Sequence, residues 1–405
     1  MNYRDEMVKQ FKDEACSILD FWSNYKDEAF GGFYSYSSFT GEINPQAEKG
    51  VLLHSRILWA FSRGYNVLKE KKYLDLAKLC YDFLKDVCYD HEFGGVYWSV
   101  SYDGKVLDSQ KHIYNQGFFI YALSEYYLAS GDAKALELAL NVFRLCEDHA
   151  FDEVYGGYRE SFDRYFKPIE NTLVCDTAEG VLAEKSMNTH LHIMEAYTKL
   201  YEASHDENVY KKLYGLTKLI LEKIVNADGH YGLFFTRDWR CASKDISFGH
   251  DIEGTWLMDK AASQIKDAEF VKNLKEKTLK MAEVTVGQAL DYDGAVFSEF
   301  RSGHLLDADR IWWVQAESMV GFMNAFEKSG NLTFLKHALD CFKIIVSQLK
   351  DSVNDEWFWK VNRYGIPYED KPKVEPWKCP YHNTRACLEM YLRLMAVDCE
   401  QLIEF

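Results

Sequence analysis

The chain has 405 residues, 47% of them hydrophobic and 27% charged, a balance that excludes a disordered or fibrous protein. Its net charge of −16 argues against nucleic acid or an anionic membrane surface as a partner, because phosphate groups repel an acidic surface. Only 6 prolines occur, so long helices are possible along almost the whole chain.

The sequence also bears on the compartment. The first residues, MNYRDEMVKQFKDEA, are charged and amphipathic, so no signal peptide is predicted. No apolar run approaches the ~20 residues that a membrane-spanning helix needs. The ten cysteines are scattered without a CxxC pair. We therefore expect a cytoplasmic protein with reduced thiols rather than a disulfide scaffold.

In chain order, six one-sided helical patterns alternate with six patterns that are apolar nearly all round. The first kind has the i, i+3, i+4, i+7 spacing of a half-exposed helix, and it covers roughly 3–25, 71–89, 133–149, 208–225, 270–290 and 332–349. The second kind, which includes GFFIYALSEYYLA, should be buried on both sides, and it covers roughly 51–65, 114–130, 187–203, 250–264, 314–328 and 381–395.

A Gly-aromatic signature follows each one-sided helix. Clear copies contain Gly32, Gly95 and Gly157, and weaker copies contain Gly232 and Gly294. A degenerate sixth copy reads DEWF, and the successive spacings are 63, 62, 75, 62 and 62 residues. Such a repeat indicates six copies of one structural unit, with glycine supplying the positive φ of a turn.

These repeats predict an all-α fold, an (α/α)6 barrel of six inner and six outer helices joined by short Gly-aromatic hairpins or turns. We expect one catalytic domain over residues 1–405. An open solenoid is the alternative, but it would need polar caps at both ends. The 75-residue step marks an insertion near 166–185, and we expect this loop to roof the site.

Common cofactor motifs are absent: the sequence has no GxGxxG, GxxxxGK, HExxH or GxSxG. Polar residues instead gather near the starts of the buried helices, where an inner ring would place them around one mouth. Buried polar groups are costly unless they have partners, so six such clusters suggest a pocket. They occur in LHSRILW, HIYNQGF, SMNTHLH, FGHDIE, RIWWVQAE and EPWKCPYHN.

Neither a metal nor a cofactor is expected. His190 and His192 are two residues apart, which on a helix turns them about 200° from each other, so they cannot easily hold one ion. Trp312, Trp313 and Trp377 point to sugars, because flat apolar faces beside fixed hydrogen-bonding groups suit a pyranose ring. Adjacent helix residues face different ways, so one of Trp312 and Trp313 is expected in the core.

Six separated motifs over nearly the whole chain resemble one family. RILW, KHIYNQ, KSMNTHLH, SFGHDIE, RIWWVQAE and WKCPYHNTRACLE, in this order, resemble the cellobiose 2-epimerases of the N-acylglucosamine 2-epimerase superfamily. The resemblance implies a cofactor-independent isomerase that inverts C2 of the reducing-end glucose, converting cellobiose to glucosyl-mannose and lactose to epilactose. Its partner is a small sugar, and we expect a monomer, with a homodimer as the alternative.

The resemblance also implies roles for individual residues. His250 and His382 look like the two acid/base residues, His192 like a third histidine that assists ring opening, and Arg56 like the group that neutralises oxygen charge. The implied sugar-binding residues are Tyr114, Asn188, Glu253, Trp313 and Trp377, and we add the nearby carboxylates Asp309 and Glu317.

The chemistry of C2 inversion requires such a set. The sugar ring must open, the enediolate needs a cation at its oxygen, and the proton must leave one face of C2 and return on the other. Mannose 2-epimerase, N-acylglucosamine 2-epimerase and aldose–ketose isomerase remain alternatives. An inverting glycosidase would need two carboxylates about 6.5–9.5 Å apart, for which Glu253 with Glu317 or Asp309 are candidates. A sugar-binding protein without catalytic activity is a further alternative.

Overall fold

The computed structural model describes residues 3–173, 183–301 and 304–397, and twelve helices within these residues form two concentric rings. The outer helices are α1 (Tyr3–Ser23), α3 (Lys71–Phe83), α5 (Ala133–Ala150), α7 (Glu207–Leu219), α9 (Ala268–Ala289) and α11 (Leu332–Ile344). The inner helices are α2 (Val51–Leu68), α4 (Ile113–Ser130), α6 (Met187–Ser204), α8 (Phe248–Ala262), α10 (Trp312–Ser329) and α12 (His382–Ala396). Three outer helices continue into a π-helical turn, at Leu84–Cys88, Ile220–Ile224 and Ile345–Leu349.

The inner ring is closed. Each inner helix packs against the next, and α12 packs against α2 as well as against α1, so the last repeat meets the first. This confirms the barrel and rejects the solenoid. The two helix classes also differ as predicted: α4 is buried on every side from Ile113 to Tyr126, whereas α5 buries one stripe that includes Ala139, Val142 and Phe143.

Ten short strands occur in the described residues, most of them beside the N-terminal ends of inner helices. They form the antiparallel sheets β1-β2-β3, β4-β5, β6-β7-β8 and β9-β10. Their bounds are β1 Lys49–Gly50, β2 Ser99–Val100, β3 Val106–Asp108, β4 Lys185–Ser186, β5 Phe234–Phe235, β6 Asp245–Ser247, β7 Glu299–Arg301, β8 His304–Asp307, β9 Arg310–Ile311 and β10 Lys360–Val361. These hairpins surround the end of the barrel at which the inner helices begin.

Each Gly-aromatic turn is held by a polar side chain near the start of the following inner helix. In the third copy the Tyr158 amide donates to Nε2 of His190 at 2.9 Å. Gly157 has φ +73°, and a Cβ there would lie 2.7 Å from the same Nε2 atom, so both the turn and the close approach require glycine. The equivalent holding residues are His54, Gln116, Asp251 and Gln315, with Asn383 acting through Glu356 in the sixth copy. Six of the polar residues near the helix starts therefore hold turns rather than face a ligand.

Buried ion pairs anchor the same turns. Lys111 contacts Asp90 at 3.1 Å and Lys185 contacts Asp152 at 3.1 Å, with all four side chains fully buried. The aspartates also accept hydrogen bonds from turn amides, which fixes each turn to the segment that enters an inner helix. Equivalent pairs join Asp27 to Lys49, Asp351 to Lys373 and Asp291 to Arg310.

Three further expectations concern the roof loop, membrane-spanning helices and the cysteines. Of the predicted roof loop at 166–185, residues 174–182 lie outside the described residues, while Leu173 contributes to a cavity wall. Across the described ranges no helix is both long and apolar enough to cross a membrane. The eight cysteines in these ranges are all free thiols, six of them buried.

Candidate active site

A cavity of about 240 Å³ opens among the N-terminal ends of the inner helices. All six predicted polar clusters contribute to it. Its walls are formed by Arg56, Tyr114, Asn188, His192, His250, Glu253, Trp312, Trp313, Trp359, Trp377 and His382. Nine of the eleven residues predicted for the site are therefore brought together, and the other two, Glu317 and Asp309, are not in the wall.

His382 is held by a carboxylate behind it. Its Nδ1 atom lies 2.7 Å from Oε1 of Glu317, which also accepts from Trp256 Nε1 through Oε2. Because a carboxylate accepts the Nδ1 proton, the Nε2 atom of His382 is left unprotonated towards the cavity. Burial lowers the pKa of His382 well below its usual range, so the ring is neutral at pH 7. Glu317, predicted to contact sugar, instead orients this histidine.

His192 has the same arrangement within one helix. Its Nδ1 atom lies 2.9 Å from Oε2 of Glu195, three residues further along α6. Burial lowers the pKa of His192. Burial disfavours the charge on Glu195, but Arg385, His192 and Tyr381 together outweigh it and lower the pKa of Glu195 to about 2. This carboxylate is therefore charged, and it fixes the Nδ1–H tautomer of His192.

His250 differs because its partner is neutral. Its Nδ1 atom lies 2.8 Å from the Ser247 hydroxyl, which can either donate or accept. Burial and the nearby His192 lower the pKa of His250 to about 3. The ring of Trp313 lies beside both His250 and His382, with centroid distances of 4.8 Å and 5.7 Å.

Arg56 is a buried cation without a carboxylate partner in the described part of the chain. It donates to the Tyr114 hydroxyl at 2.8 Å and lies over the rings of Phe118, at 4.3 Å, and Tyr381, at 4.9 Å. Cation–π contacts stabilise the charge in the absence of an anion. The guanidinium therefore remains available to a negatively charged oxygen in the cavity.

Several buried polar atoms of the wall lack a hydrogen-bond partner among the described residues. They are Arg56 Nε, Asn188 Oδ1, Glu253 Oε2 and Trp312 Nε1. Native proteins seldom leave such groups unpaired, so these atoms indicate a ligand rich in donors and acceptors. The expectation that one of Trp312 and Trp313 is in the core is confirmed, because Trp312 is a buried core residue, although it also borders the cavity together with Trp313. Both lie in the first turn of α10, where two successive side chains can reach the mouth.

Three of the site's carboxylates converge on one guanidinium that the sequence analysis missed. Arg385 donates through Nη1 to Glu195 at 2.5 Å, and through Nη2 to Glu253 at 2.6 Å and to Glu317 at 2.7 Å. Burial raises the pKa of both Glu253 and Glu317. Repulsion by Glu317 and Glu195 adds to it for Glu253, and repulsion by Glu195 adds to it for Glu317. Glu317 accepts from three donors and Glu253 from one, so the negative charge resides on Glu317 and the shared proton on Glu253.

Glu253, Glu317 and His382 are also the candidate metal ligands in the described residues, since their ligand atoms lie within 4.8 Å of one another. The Arg385 guanidinium already donates to both carboxylates, so a positive charge occupies the position that an ion would take. The same spacing argues against an inverting glycosidase, because it is shorter than the separation of about 6.5–9.5 Å that this reaction needs.

Asp309 is the one predicted site residue that lies away from the cavity. It accepts from Lys360 Nζ at 2.6 Å and from the Tyr368 hydroxyl at 3.0 Å. Its neighbour Arg310 leads into α10 as part of β9, which turns Asp309 towards the β10 side of the hairpin. Its prediction as a sugar contact is therefore wrong.

Four residues that matter to the site were not predicted: Glu195, Ser247, Trp359 and Arg385. Glu195 and Arg385 follow His192 and His382 by three residues, the spacing that places two side chains on one helix face. That spacing could have revealed Glu195 and Arg385 in the sequence. No such spacing marks Trp359, because it reaches the cavity from the segment after the degenerate sixth turn, where it packs on Trp312.

A second compartment of about 390 Å³ adjoins the first and shares Asn188, His250 and Trp377 with it. Its other walls include Leu173, Phe234 and Ser247. His192 and His382 border the smaller compartment alone, whereas His250 borders both.

The sequence profile described as N-acylglucosamine 2-epimerase matches residues 31–386. The chain is 42% identical to a cellobiose 2-epimerase of Dictyoglomus turgidum over 93% of this chain and 96% of that protein. It is 41% identical to a cellobiose 2-epimerase of Ruminococcus albus, over 96% and 99% of the two chains.

Solved structures agree with these relatives. A sugar epimerase from a ruminal bacterium superposes with a TM-score of 0.93 at 40% identity, covering 97% of this chain and 100% of that one. A cellobiose 2-epimerase from Bacillus thermoamylovorans gives 0.92 at 36% identity, over 96% and 100%. The resemblance seen in the six motifs is confirmed, and with it the prediction of a carbohydrate epimerase of the isomerase class. The chain belongs to the N-acylglucosamine 2-epimerase family.

Proposed function

We propose that the protein is a cofactor-independent disaccharide 2-epimerase that inverts C2 of the reducing-end glucose of β-1,4-linked disaccharides such as cellobiose and lactose. One observation carries this proposal: three neutral histidines and the unpaired Arg56 guanidinium border one cavity. Proton transfer at carbon needs neutral bases near a group that stabilises the enediolate.

Ring opening comes first, because a cyclic sugar has no acidic proton at C2. His192 holds its Nδ1 proton against Glu195, so Nε2 is the base that takes the proton from O1–H. The ring oxygen O5 needs a proton at the same time, and Glu253, which keeps a proton beside Glu317, is a donor in the cavity wall. The product of this step is the open-chain aldehyde.

The aldehyde then makes the C2 proton acidic. One histidine of the pair His250 and His382 removes it, and the enediolate oxygen receives the charge of Arg56. The first histidine becomes an imidazolium and releases this proton to solvent water, while the other takes a proton from solvent water and donates it to the opposite face of C2. Ring closure then reverses the first step, so that His192 returns its proton to O1 and Glu253 regains the proton of O5. The two lie on α8 and α12, which α10 separates in the ring, so they reach the cavity from different directions. Each acts as base on one epimer and as acid on the other.

The adjoining compartment supports a disaccharide over a monosaccharide. It continues from the reaction cavity past Asn188 and Trp377, and its further 390 Å³ is of the size that a second pyranose needs. Trp377 lies at the junction of the two compartments, where its flat face can contact the glycosidic linkage or the second ring.

One experiment separates the alternatives. Cellobiose, lactose, mannose, glucose and N-acetylmannosamine are incubated separately with the enzyme in D₂O, with and without EDTA, and the products are read by NMR. We expect deuterium at an inverted C2 with the disaccharides, unchanged by EDTA. A ketose product would identify an isomerase, free glucose from cellobiose a glycosidase, and absence of any exchange a binding protein. Preference for mannose or N-acetylmannosamine would contradict the disaccharide assignment.

We further propose that one domain carries the whole activity as a monomer in a reducing compartment, the cytoplasm. The proposed catalytic residues Arg56, His192, His250 and His382 already meet in the cavity of a single chain, and the buried thiols of the described ranges are free. Light scattering after gel filtration tests the monomer, with a homodimer as the contrary result.

A further inference from the structure

A continuous buried chain of polar groups joins two of the histidines on the side away from the cavity. It runs from His192 to Glu195, then to Arg385, then to Glu317 and to His382. We call these five residues the guanidinium bridge. Its two ends lie on α6 and α12, so Arg385 connects groups from opposite parts of the ring.

The geometry of the bridge is fixed from several sides. Arg385 is 1% exposed, and its guanidinium carbon lies 4.7 Å from the Trp256 ring centroid and 4.2 Å from that of Tyr381. Rings on both sides confine the planar group and leave its edges for the carboxylates. The Tyr381 hydroxyl also donates to Glu195, at 2.6 Å.

The spacing within α12 explains why Arg385 reaches the histidines' partners. It follows His382 by three residues, so both side chains contact Glu317 Oε1, each at 2.7 Å. Glu317 thus receives one hydrogen bond from an imidazole and another from a permanent cation. An ionised acceptor keeps the proton on Nδ1 of His382 and leaves Nε2 as a base.

We propose that Arg385 is a positioning residue that keeps Glu195 and Glu317 ionised together, and thereby holds His192 and His382 in the tautomer with an unprotonated Nε2. The inference rests on the proposed function and adds a residue that does not border the cavity. Its positive charge also opposes protonation of both imidazoles, so each imidazole is neutral until it accepts a proton from the substrate or from solvent.

The charges around His382 define what the loss of Arg385 would do. Glu317 from α10 and Glu195 from α6 favour its protonation, while Arg56 from α2 and Arg385 from α12 oppose it. The protonated Glu253 from α8 and the imidazoles of His192 and His250 are neutral. Removing Arg385 leaves the two buried charges of Glu195 and Glu317 near the site, with Arg56 as the remaining cation. We therefore expect His382 to bind a proton at higher pH without Arg385.

The test compares Arg385→Lys with Arg385→Met, each assayed for kcat and KM on cellobiose across pH. Arg385→Lys keeps the charge and loses the planar fork, so kcat should fall about tenfold while the acidic limb of kcat/KM stays in place. Arg385→Met should lower kcat about 10²-fold, in the range of lost outer partners of histidine. Its acidic limb should move upward by about one pH unit.

Two further variants serve as controls. Arg385→Met combined with Glu253→Gln fixes that side chain in its neutral form. Its rate should be lower still, because the donor to O5 is lost, but it should show the same shifted limb, which excludes Glu253 as the group that titrates. Arg63→Met removes a partly buried arginine that pairs with Glu389 outside the cavity wall, and it should leave the acidic limb unchanged.

The outcomes are separable. The positioning role would be overturned if the acidic limb of the kcat/KM profile moved in Arg385→Lys. It would also be overturned if that limb stayed in place both in Arg385→Met and in Arg385→Met combined with Glu253→Gln. Full activity of Arg385→Met would overturn it too. Failure of the wild-type enzyme to invert C2 of any sugar would contradict the proposed function instead. Nitrogen-15 NMR of the histidines provides a direct readout: we expect the Nδ1–H tautomer at His192 and His382 in the wild type, and its absence there would also reject the inference.

Discussion

Arg56 donates a 2.8 Å hydrogen bond to the hydroxyl of Tyr114, and no acidic side chain of the described residues forms an ion pair with it. A buried guanidinium without an anion is unusual, because burial is costly for an unpaired charge. The aromatic rings around it provide part of the compensation, and in the proposed mechanism the enediolate provides the rest.

Replacing Arg56 should therefore impair chemistry more than binding. We expect Arg56→Met to lower kcat about 10²–10³-fold, the loss typical of one oxyanion-stabilising group, with a much smaller change in KM. Arg56→Lys should recover part of the loss because it restores the charge. Steady-state kinetics with cellobiose measures both, and a larger effect on KM than on kcat would contradict the assignment.

The two-base scheme makes a complementary prediction for His250→Ala and His382→Ala. Each variant should lose inversion, yet each should still exchange the C2 proton of the one epimer whose proton faces the remaining histidine. Incubation of both epimers with both variants in D₂O gives four measurements by NMR. We expect exchange in two of the four measurements: one variant should exchange the C2 proton of the gluco epimer and the other that of the manno epimer. Exchange in all four would reject the scheme.

Burial of the histidines predicts an activity plateau that extends into acid. The pKa of His250 is lowered to about 3, and the pKa values of His192 and His382 are lowered as well. The unprotonated imidazole is the active form, and a lowered pKa preserves it as pH falls. We expect kcat/KM to stay level from pH 7.5 to below 6.5, whereas an acidic limb centred above 6.5 would show that the bases are not these buried rings.

Gly157 offers a test of the turn that holds the third repeat. Alanine there combines a positive φ with a contact at 2.7 Å to His190, so Gly157→Ala should destabilise the fold by more than about 2 kcal/mol. Gly215 lies inside α7 with open space around it, and Gly215→Ala should stabilise by about 0.5–1 kcal/mol. Urea unfolding measures the pair, and equal effects would contradict the role of the turn.

The helix positions could be read from the sequence because burial imposes a period on the residues of each helix. The predicted pattern at 187–203 became α6 (Met187–Ser204), and that at 133–149 became α5 (Ala133–Ala150). The closed ring followed from counting repeats. The polar clusters also predicted where the cavity lies, since the starts of all inner helices meet at one end of a barrel.

The roles within those clusters could not be read in the same way. His190 and His192 are two residues apart, yet one holds a turn and the other borders the cavity, because successive helix positions point in different directions. Asp309 is adjacent to a helix that bears two cavity tryptophans, but its hairpin turns it towards Lys360. Such distinctions depend on which neighbour a side chain meets.

By itself the sequence determined the number of repeats, the alternation of the two helix classes and the identity of the three histidines. Only the tertiary structure decided which carboxylate stands behind each imidazole and that Arg385 links two of them. The physical reason is the range of the interactions involved. Helical periodicity is set by residues three or four apart, whereas the bridge joins α6, α10 and α12, and its contacts exist only once the ring has closed.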